Sequence, residues 1–293
     1  MDHAQHGYSH PEALVSTAWL EAHLADPSLR VIDATFFLAI QKRNAKEEYH
    51  DCHITGAQLF EIDEVCDPDS SLPHMLPSPD RFADIVGKMG IGNDCHVVVY
   101  DATGMTSAAA RVWWMFRVFG HDKVSVLDGG FPKWLREGRS VEEEAPPPVH
   151  ERRPFKPYFR PHLVKGLGEI KGNLQTREEQ MVDARPLARF TGETPEPRPV
   201  LKQGHIPGSK PMPFSIFFDK KTMTMLPADG LKQIFAEAGI DLSRPVISTC
   251  GSGVTACLPA LAAFLLGYDH VSVYDGSWAE WGNLPDAPAE LGA

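Results

Sequence analysis

One cysteine stands where chemistry is expected. The apolar run Pro245-Val-Ile-Ser-Thr249 leads directly into Cys250-Gly251-Ser252-Gly253-Val254-Thr255, and a segment with helical spacing follows. In open α/β sheets, ligands and reactive groups collect at the carboxyl end of a strand, just ahead of a helix N-terminus. Two glycines let the backbone curl so that successive N–H groups converge, and the helix adds its positive end, so both favour an anion at the sulfur. An isolated cysteine has a pKa of about 8.5, and that setting lowers it toward neutrality, making the thiolate nucleophile available. The ordinary alternative is a buried cysteine acting as a small apolar residue. That reading is kept for Cys52, Cys66, Cys95 and Cys257, none of which runs from a strand into a glycine loop. The cysteine count is odd, the spacing is wide and no CxxC pair occurs, so neither a disulfide framework nor a four-thiolate zinc site is expected.

A thiolate that attacks a small anionic donor needs cations to hold that donor. The segment Asp183-Ala-Arg185-Pro-Leu-Ala-Arg189-Phe-Thr-Gly-Glu-Thr-Pro-Glu-Pro-Arg198 supplies arginines in the same half of the chain as Cys250. Arginine makes forked contacts with carboxylates that lysine does not reproduce. The commoner fate of a loop arginine is a solvated surface charge, and Arg185, two residues after Asp183, suits a structural ion pair equally well. In the first half, Asp63 is followed by Pro73-His74-Met75-Leu76-Pro77. Histidine relays protons near neutral pH and a carboxylate can orient its ring, although a lone loop histidine is more often structural.

The elements that must position these groups are written twice. Val31-Ile-Asp-Ala34 recurs as Met181-Val-Asp-Ala184, and His53-Ile-Thr-Gly-Ala57 as His205-Ile-Pro-Gly-Ser209. Met89-Gly-Ile91 recurs as Ala238-Gly-Ile240, and Asp128-Gly-Gly130 with Trp134 as Asp275-Gly-Ser277 with Trp281. The matches keep one order and a nearly constant offset, between 275 − 128 = 147 and 205 − 53 = 152, which indicates a duplicated domain. Short β-branched runs at 29–34, 97–100, 124–127, 181–184, 245–249 and 271–274 read as buried strands, and 79–89, 106–119, 228–238 and 254–266 have helical spacing. Such alternation implies an α/β fold built twice, each half a parallel sheet flanked by helices. The expected division is 1–145, a proline-rich linker at 146–161 stiffened toward an extended form, and 162–293. The helix after Cys250 is expected to begin near Thr255, with Pro259 early in it. At the equivalent strand end in the first half, Val97-Val-Val-Tyr100 leads into Asp101, so that loop has no nucleophile.

Composition narrows the partners. The 293 residues carry 28 Lys and Arg against 39 Asp and Glu, a formal charge of −11, with no basic run. Neither nucleic acid nor an anionic membrane surface is the expected partner. The apolar run at 256–266 falls well short of the roughly 20 residues of a spanning helix. The N-terminus lacks the positive start and apolar stretch of a leader, so a cytoplasmic protein is expected, with no metal and no organic cofactor.

The tandem repeat, the His205-Ile-Pro-Gly208 segment and the Cys250-Gly-Ser-Gly-Val-Thr-Ala256 loop resemble the two-domain rhodanese superfamily over nearly the whole chain. Within it, the loop is similar to that of the 3-mercaptopyruvate sulfurtransferases. Thiosulfate-type members carry basic side chains where this chain has Gly251 and Ser252, which suits a doubly charged donor. Neutral N–H and hydroxyl donors suit a donor whose carboxylate lies away from the sulfur. The resemblance implies that Cys250 forms a persulfide, that Arg189 and Arg198 hold the substrate, and that Ser252, His74 and Asp63 form an arrangement across the interdomain cleft. The loop residues Gly251, Gly253, Val254 and Thr255 complete the expected binding set. The implied reaction takes sulfur from 3-mercaptopyruvate, releases pyruvate and passes the sulfur to thioredoxin, a small thiol or cyanide by a ping-pong route. A thiosulfate sulfurtransferase is the nearest alternative, and a non-enzymatic tandem binding module a remoter one. A cysteine phosphatase is disfavoured because Ala256 and Thr249 stand where that chemistry uses Arg and His.

Overall fold

The structure, a computed structural model, describes residues 6–144, 146 and 148–292. The two chain ends, residue 145 at the expected close of the first domain and residue 147 in the linker lie outside them. The first half contains strands β1 (Leu14–Val15), β2 (Leu29–Asp33), β3 (His53–Ile54), β4 (Ala57–Leu59), β5 (His96–Tyr100), β6 (Val124–Leu127) and β7 (Val141–Glu142). Its helices are α1 (Thr17–His23), α2 (Ala45–Asp51), α3 (Ile62–Val65), α4 (Pro79–Lys88), α5 (Ser107–Val118) and α6 (Gly130–Arg136). The second half contains β8 (Val164–Lys165), β9 (Gln180–Asp183), β10 (Ser209–Pro211), β11 (Val246–Thr249) and β12 (Val271–Tyr274). Its helices are α7 (Leu167–Thr176), α8 (Leu187–Phe190), α9 (Ala228–Glu237), α10 (Cys257–Leu265) and α11 (Ser277–Trp281).

Both five-stranded sheets are parallel, in the orders β1-β6-β5-β2-β4 and β10-β9-β11-β12-β8. Reading the second order backwards sets β8 against β1, β12 against β6, β11 against β5, β9 against β2 and β10 against β4, so topology repeats as the sequence does. Strands β3 and β7 form a small antiparallel pair. The central strands bury β-branched side chains on both faces, as a sheet covered by helices on both sides requires.

The site is positioned by how the halves meet. Helix α10 is apolar on every side, and a helix of that kind has to be enclosed. It packs against α5, which is almost as fully buried, and one apolar core runs through Trp113 and Phe116 of the first half and Leu258 and Leu261 of the second. Each of these helices follows its half's strand-end loop, so packing them together brings both loops to the interface. The linker runs along the first half. Its Arg153, Tyr158 and Arg160 amides donate to the carbonyls of Gly87, Phe119 and Val118, and Phe155 packs on Phe82.

Helix α10 begins at Cys257 rather than near Thr255. Residues 255 and 256 form a turn, with the Cys257 and Leu258 amides bonded to the Val254 and Thr255 carbonyls. Pro259 therefore falls in the first turn, where its missing N–H has no intrahelical bond to lose. No described helix is long and apolar enough to cross a membrane.

Candidate active site

The first half shows what this strand-to-helix loop does with an anion. Asp101 occupies the place of Cys250: the Phe131 N–H donates to the Asp101 carbonyl at 3.0 Å, as the Trp278 N–H donates to the Cys250 carbonyl at 2.9 Å. The Asp101 carboxylate accepts from the Thr103, Ala108 and Ala109 amides at 2.9, 3.0 and 3.1 Å and from the Thr103 hydroxyl at 2.6 Å. A buried negative charge thus sits on the positive end of α5. In the Cys250 loop, the amides of Gly251, Ser252, Val254 and Thr255 have no partner among the described residues. They are the donors open to an anionic sulfur.

Two further amides shape the loop from beneath. Cys250 and Gly253 both donate to Ser277 Oγ, at 3.2 and 3.1 Å, and that hydroxyl donates to the Tyr274 carbonyl at 2.8 Å. Gly253 has φ +76°, and a Cβ there would lie 2.8 Å from the Asp275 carbonyl oxygen, so glycine is required. Its carbonyl accepts from Arg111 at 3.3 Å. Gly253, expected to touch substrate, instead spends its amide and carbonyl on supporting the loop.

The arginines are not equivalent. Arg185 is buried, bonded to Asp183 through Nε and Nη2 and to the Gly204 carbonyl, and is a structural ion pair. Glu196 joins it, accepting from Arg185 Nη1 at 2.8 Å and receiving the Arg189 guanidinium through Nε and Nη2. Arg189 in turn covers Gly251, where a Cβ would lie 2.7 Å from its Nη2. Any side chain at 251 would displace Arg189. Arg198 has no carboxylate salt bridge among the described residues. Its Nη2 donates to His74 Nε2 at 2.8 Å and its Nη1 to Ser252 Oγ at 3.4 Å. Burial, only partly offset by Asp63, pulls its pKa below the usual arginine value.

His74 is buried, with Nδ1 2.6 Å from Asp63 Oδ1. Because Nε2 accepts from Arg198, the partners specify a neutral ring with its proton on Nδ1. Burial lowers the His74 pKa, Asp63 opposes this, and Arg198 and Arg111 reinforce it. The contact with His74 in turn lowers the Asp63 pKa. Ser252, His74 and Asp63 come together across the cleft, with no hydrogen bond between Ser252 and His74 themselves among the described residues. The Arg198 guanidinium stands between them, and the chain of contacts runs Asp63, His74, Arg198, Ser252.

A cavity of about 300 Å³ opens above the loop. Cys250, Gly251, Ser252, Val254 and Thr255 form its floor, Arg189 and Arg198 stand at its side, and Phe36, Thr103 and Met105 close it from the first half. Asp63 and His74 lie behind Arg198, outside the lining. Cys257 is buried in α10, and burial pushes its thiol far up, in keeping with a packing role. Sequence reasoning missed Glu196, Ser277 and Arg111. Ser277 had a signal, since it breaks the repeat where the first half has Gly130, and Arg111 had another, a charge early in an apolar helical run.

The rhodanese-like domain pattern matches residues 16–137 and 167–284. The thiosulfate/3-mercaptopyruvate sulfurtransferase 2 of Arabidopsis thaliana is 45% identical over 296 residues, covering 94% of this chain and 86% of that protein. The mouse thiosulfate sulfurtransferase is 48% identical, covering 92% of this chain and 91% of that one. The crystal structure of SseA from Escherichia coli, described as a 3-mercaptopyruvate sulfotransferase, superposes with a TM-score of 0.81 at 37% identity, covering 92% of this chain and 99% of that one.

Proposed function

The chain belongs to the rhodanese-like family, and on that footing we propose that it moves sulfur from 3-mercaptopyruvate through a Cys250 persulfide to a thiol acceptor, with release of pyruvate. The relatives carry both donor names at similar identity, so the choice of donor rests on the site. One observation carries it: the loop beside the sulfur bears no basic side chain of its own, and Arg198, which has no carboxylate salt bridge among the described residues, reaches the cavity from another segment and touches the loop only at Ser252 Oγ. Thiosulfate brings its second charge next to the sulfur being transferred, whereas 3-mercaptopyruvate carries its carboxylate at the far end.

In this reading Arg198 takes the carboxylate in a forked contact. Arg189, its charge already met by Glu196, offers N–H donors to the keto oxygen. The Cys250 thiolate attacks the donor sulfur, an S–S bond forms and the C–S bond breaks, and its electron pair passes into the enolate of pyruvate. No external oxidant or reductant is needed, because the electron pair given up by the sulfur stays on C3 as it becomes the enolate carbon, and C3 then takes the proton that the donor thiol loses. Ser252, beside the sulfur and accepting from Arg198, suits that transfer, while Asp63 and His74 orient Arg198. The unpartnered loop amides stabilise the persulfide anion. Thioredoxin or a small thiol then removes the outer sulfur. The free cysteines suit a reducing compartment, of which the cytoplasm is one.

Intact-mass measurement after mixing with 3-mercaptopyruvate tests nucleophile and donor together: a gain of about 32 Da is expected, and none for Cys250→Ser. A kcat/KM larger with thiosulfate than with 3-mercaptopyruvate would overturn the choice of donor.

A further inference from the structure

Arg111 projects from α5 in the first half, is fully buried, and reaches the second half. Its Nη1 lies 2.7 Å from Asp275 Oδ1 and donates to the Gly253 carbonyl at 3.3 Å, while its Nη2 donates to the His74 carbonyl at 2.5 Å. The other Asp275 oxygen accepts from the Leu76 N–H at 2.8 Å. One buried ion pair therefore ties the Cys250 loop, the turn after β12 and the His74 segment together. A well-packed apolar side chain would hold an interface at least as well as a buried ion pair, so the charges must be explained by what they orient. His74 supplies that explanation. It has φ +61°, an uncommon conformation for a residue with a side chain, and the chain that leaves it is clamped twice, at its own carbonyl and at the amide of Leu76.

We propose that Arg111 is a positioning residue for sulfur transfer, setting His74, and through it Arg198, against the Cys250 loop. The inference rests on the roles given above to His74 and Cys250. It assigns the catalytically silent half a specific task, to deliver Arg111 and His74 to the other half's loop.

Arg111→Lys keeps a charge for Asp275 but does not span the three acceptors. The double variant Arg111→Met with Asp275→Asn removes both buried charges and serves if the first does not fold. Two readouts are needed: the saturating rate of persulfide formation from 3-mercaptopyruvate, and the ¹⁵N NMR signal of the His74 ring, which faces Asp63, Arg198, Arg111 and the Phe36 ring. The rate is expected to fall about 100-fold, as misplacement by about an ångström does, and the Nε2 signal to move as its contact with Arg198 loosens. Arg117→Met is the control, because Arg117 lies on the same helix and interface but stacks on Phe264 away from the site. It should lower the melting temperature and leave both readouts alone. An unchanged rate in folded Arg111 variants overturns the proposal, as does a lost rate with an unmoved His74 signal. The NMR readout does not depend on sulfur chemistry, so failure of the Cys250 mass test would be recognised separately.

Discussion

Ser277 places a side chain where the repeat itself recommends none. Its φ is +51°, and its counterpart Gly130 has φ +54°. A residue with a Cβ in that conformation is disfavoured by about 1 kcal/mol relative to glycine. The hydroxyl offsets this by accepting from the Cys250 and Gly253 amides at 3.2 and 3.1 Å, both in a buried setting. Leaving a buried donor without a partner costs about 1–3 kcal/mol, so losing the hydroxyl should cost about 4 kcal/mol in all. Ser277→Ala meets that full loss and keeps the unfavourable φ. Ser277→Gly recovers about 1 kcal/mol of backbone strain and should be less damaging, at about 3 kcal/mol. Urea denaturation of both variants measures the ordering, and the rate of persulfide formation should fall in both, because the loop amides are no longer held in register. If Ser277→Gly were as stable and as fast as the parent, the hydroxyl would have no part in shaping the loop.

Three further outcomes follow from the same geometry. Arg198→Lys retains charge but loses the fork, and should lower kcat/KM for 3-mercaptopyruvate by about 2 kcal/mol, or about 30-fold; steady-state kinetics with both donors measures it, and an equal loss with thiosulfate would contradict the assignment of Arg198 to the carboxylate. Asp101→Ala removes the anion from the first turn of α5 and should destabilise the first half by about 3 kcal/mol, read by thermal melting. Asp33 is the first-half counterpart of Asp183 but has no arginine partner among the described residues, and burial raises its pKa from 3.8 to about 6. Ionisation of Asp33 therefore opposes folding: its contribution to stability is complete below pH 3.8 and is lost as the pH rises through 6. Asp33→Asn should gain about 3 kcal/mol relative to the parent between pH 4 and 8, measured by denaturation at both.

Repetition made the fold legible. Strands at 124–127 and 271–274 have the expected limits, because a run of β-branched residues closed by an Asp-Gly turn has few alternatives. The edge strands β1, β4, β8 and β10 were not foreseen. They are two or three residues long, too short for any periodicity, and exist because a neighbour supplies the ladder. The start of α10 differs from the expected Thr255 for a related reason: Val254 and Thr255 fit the pattern of the helix, but the backbone bonds there are those of a turn. In the site, Cys250 was legible because a nucleophile at a strand end is a local pattern. The intervention of Arg198 between Ser252 and His74 was not, since it depends on two halves meeting across 124 residues of separation between His74 and Arg198.

One substitution at Asp101 should not give the protein a second active site. Asp101 and Cys250 follow equivalent strands, and Asp101 shows that the first-half nest accepts an anion. Yet Asp101 is fully buried and does not line the cavity in which the donor is placed. Met223, left-handed like His74 and one repeat away at 223 − 74 = 149, stands over that loop at 3.6 Å from where a Cβ on Gly104 would be. A methionine cannot take the proton-bearing or arginine-orienting part of a histidine, and Thr35 replaces the arginine anchored at 185. A thiolate at 101 would thus be stabilised but idle. In the Asp101→Cys, Cys250→Ser double variant, intact mass after exposure to 3-mercaptopyruvate should show no added sulfur. An addition of about 32 Da to a folded sample would mean that the nest alone suffices, and that the arginines and His74 are not what makes the second half an enzyme.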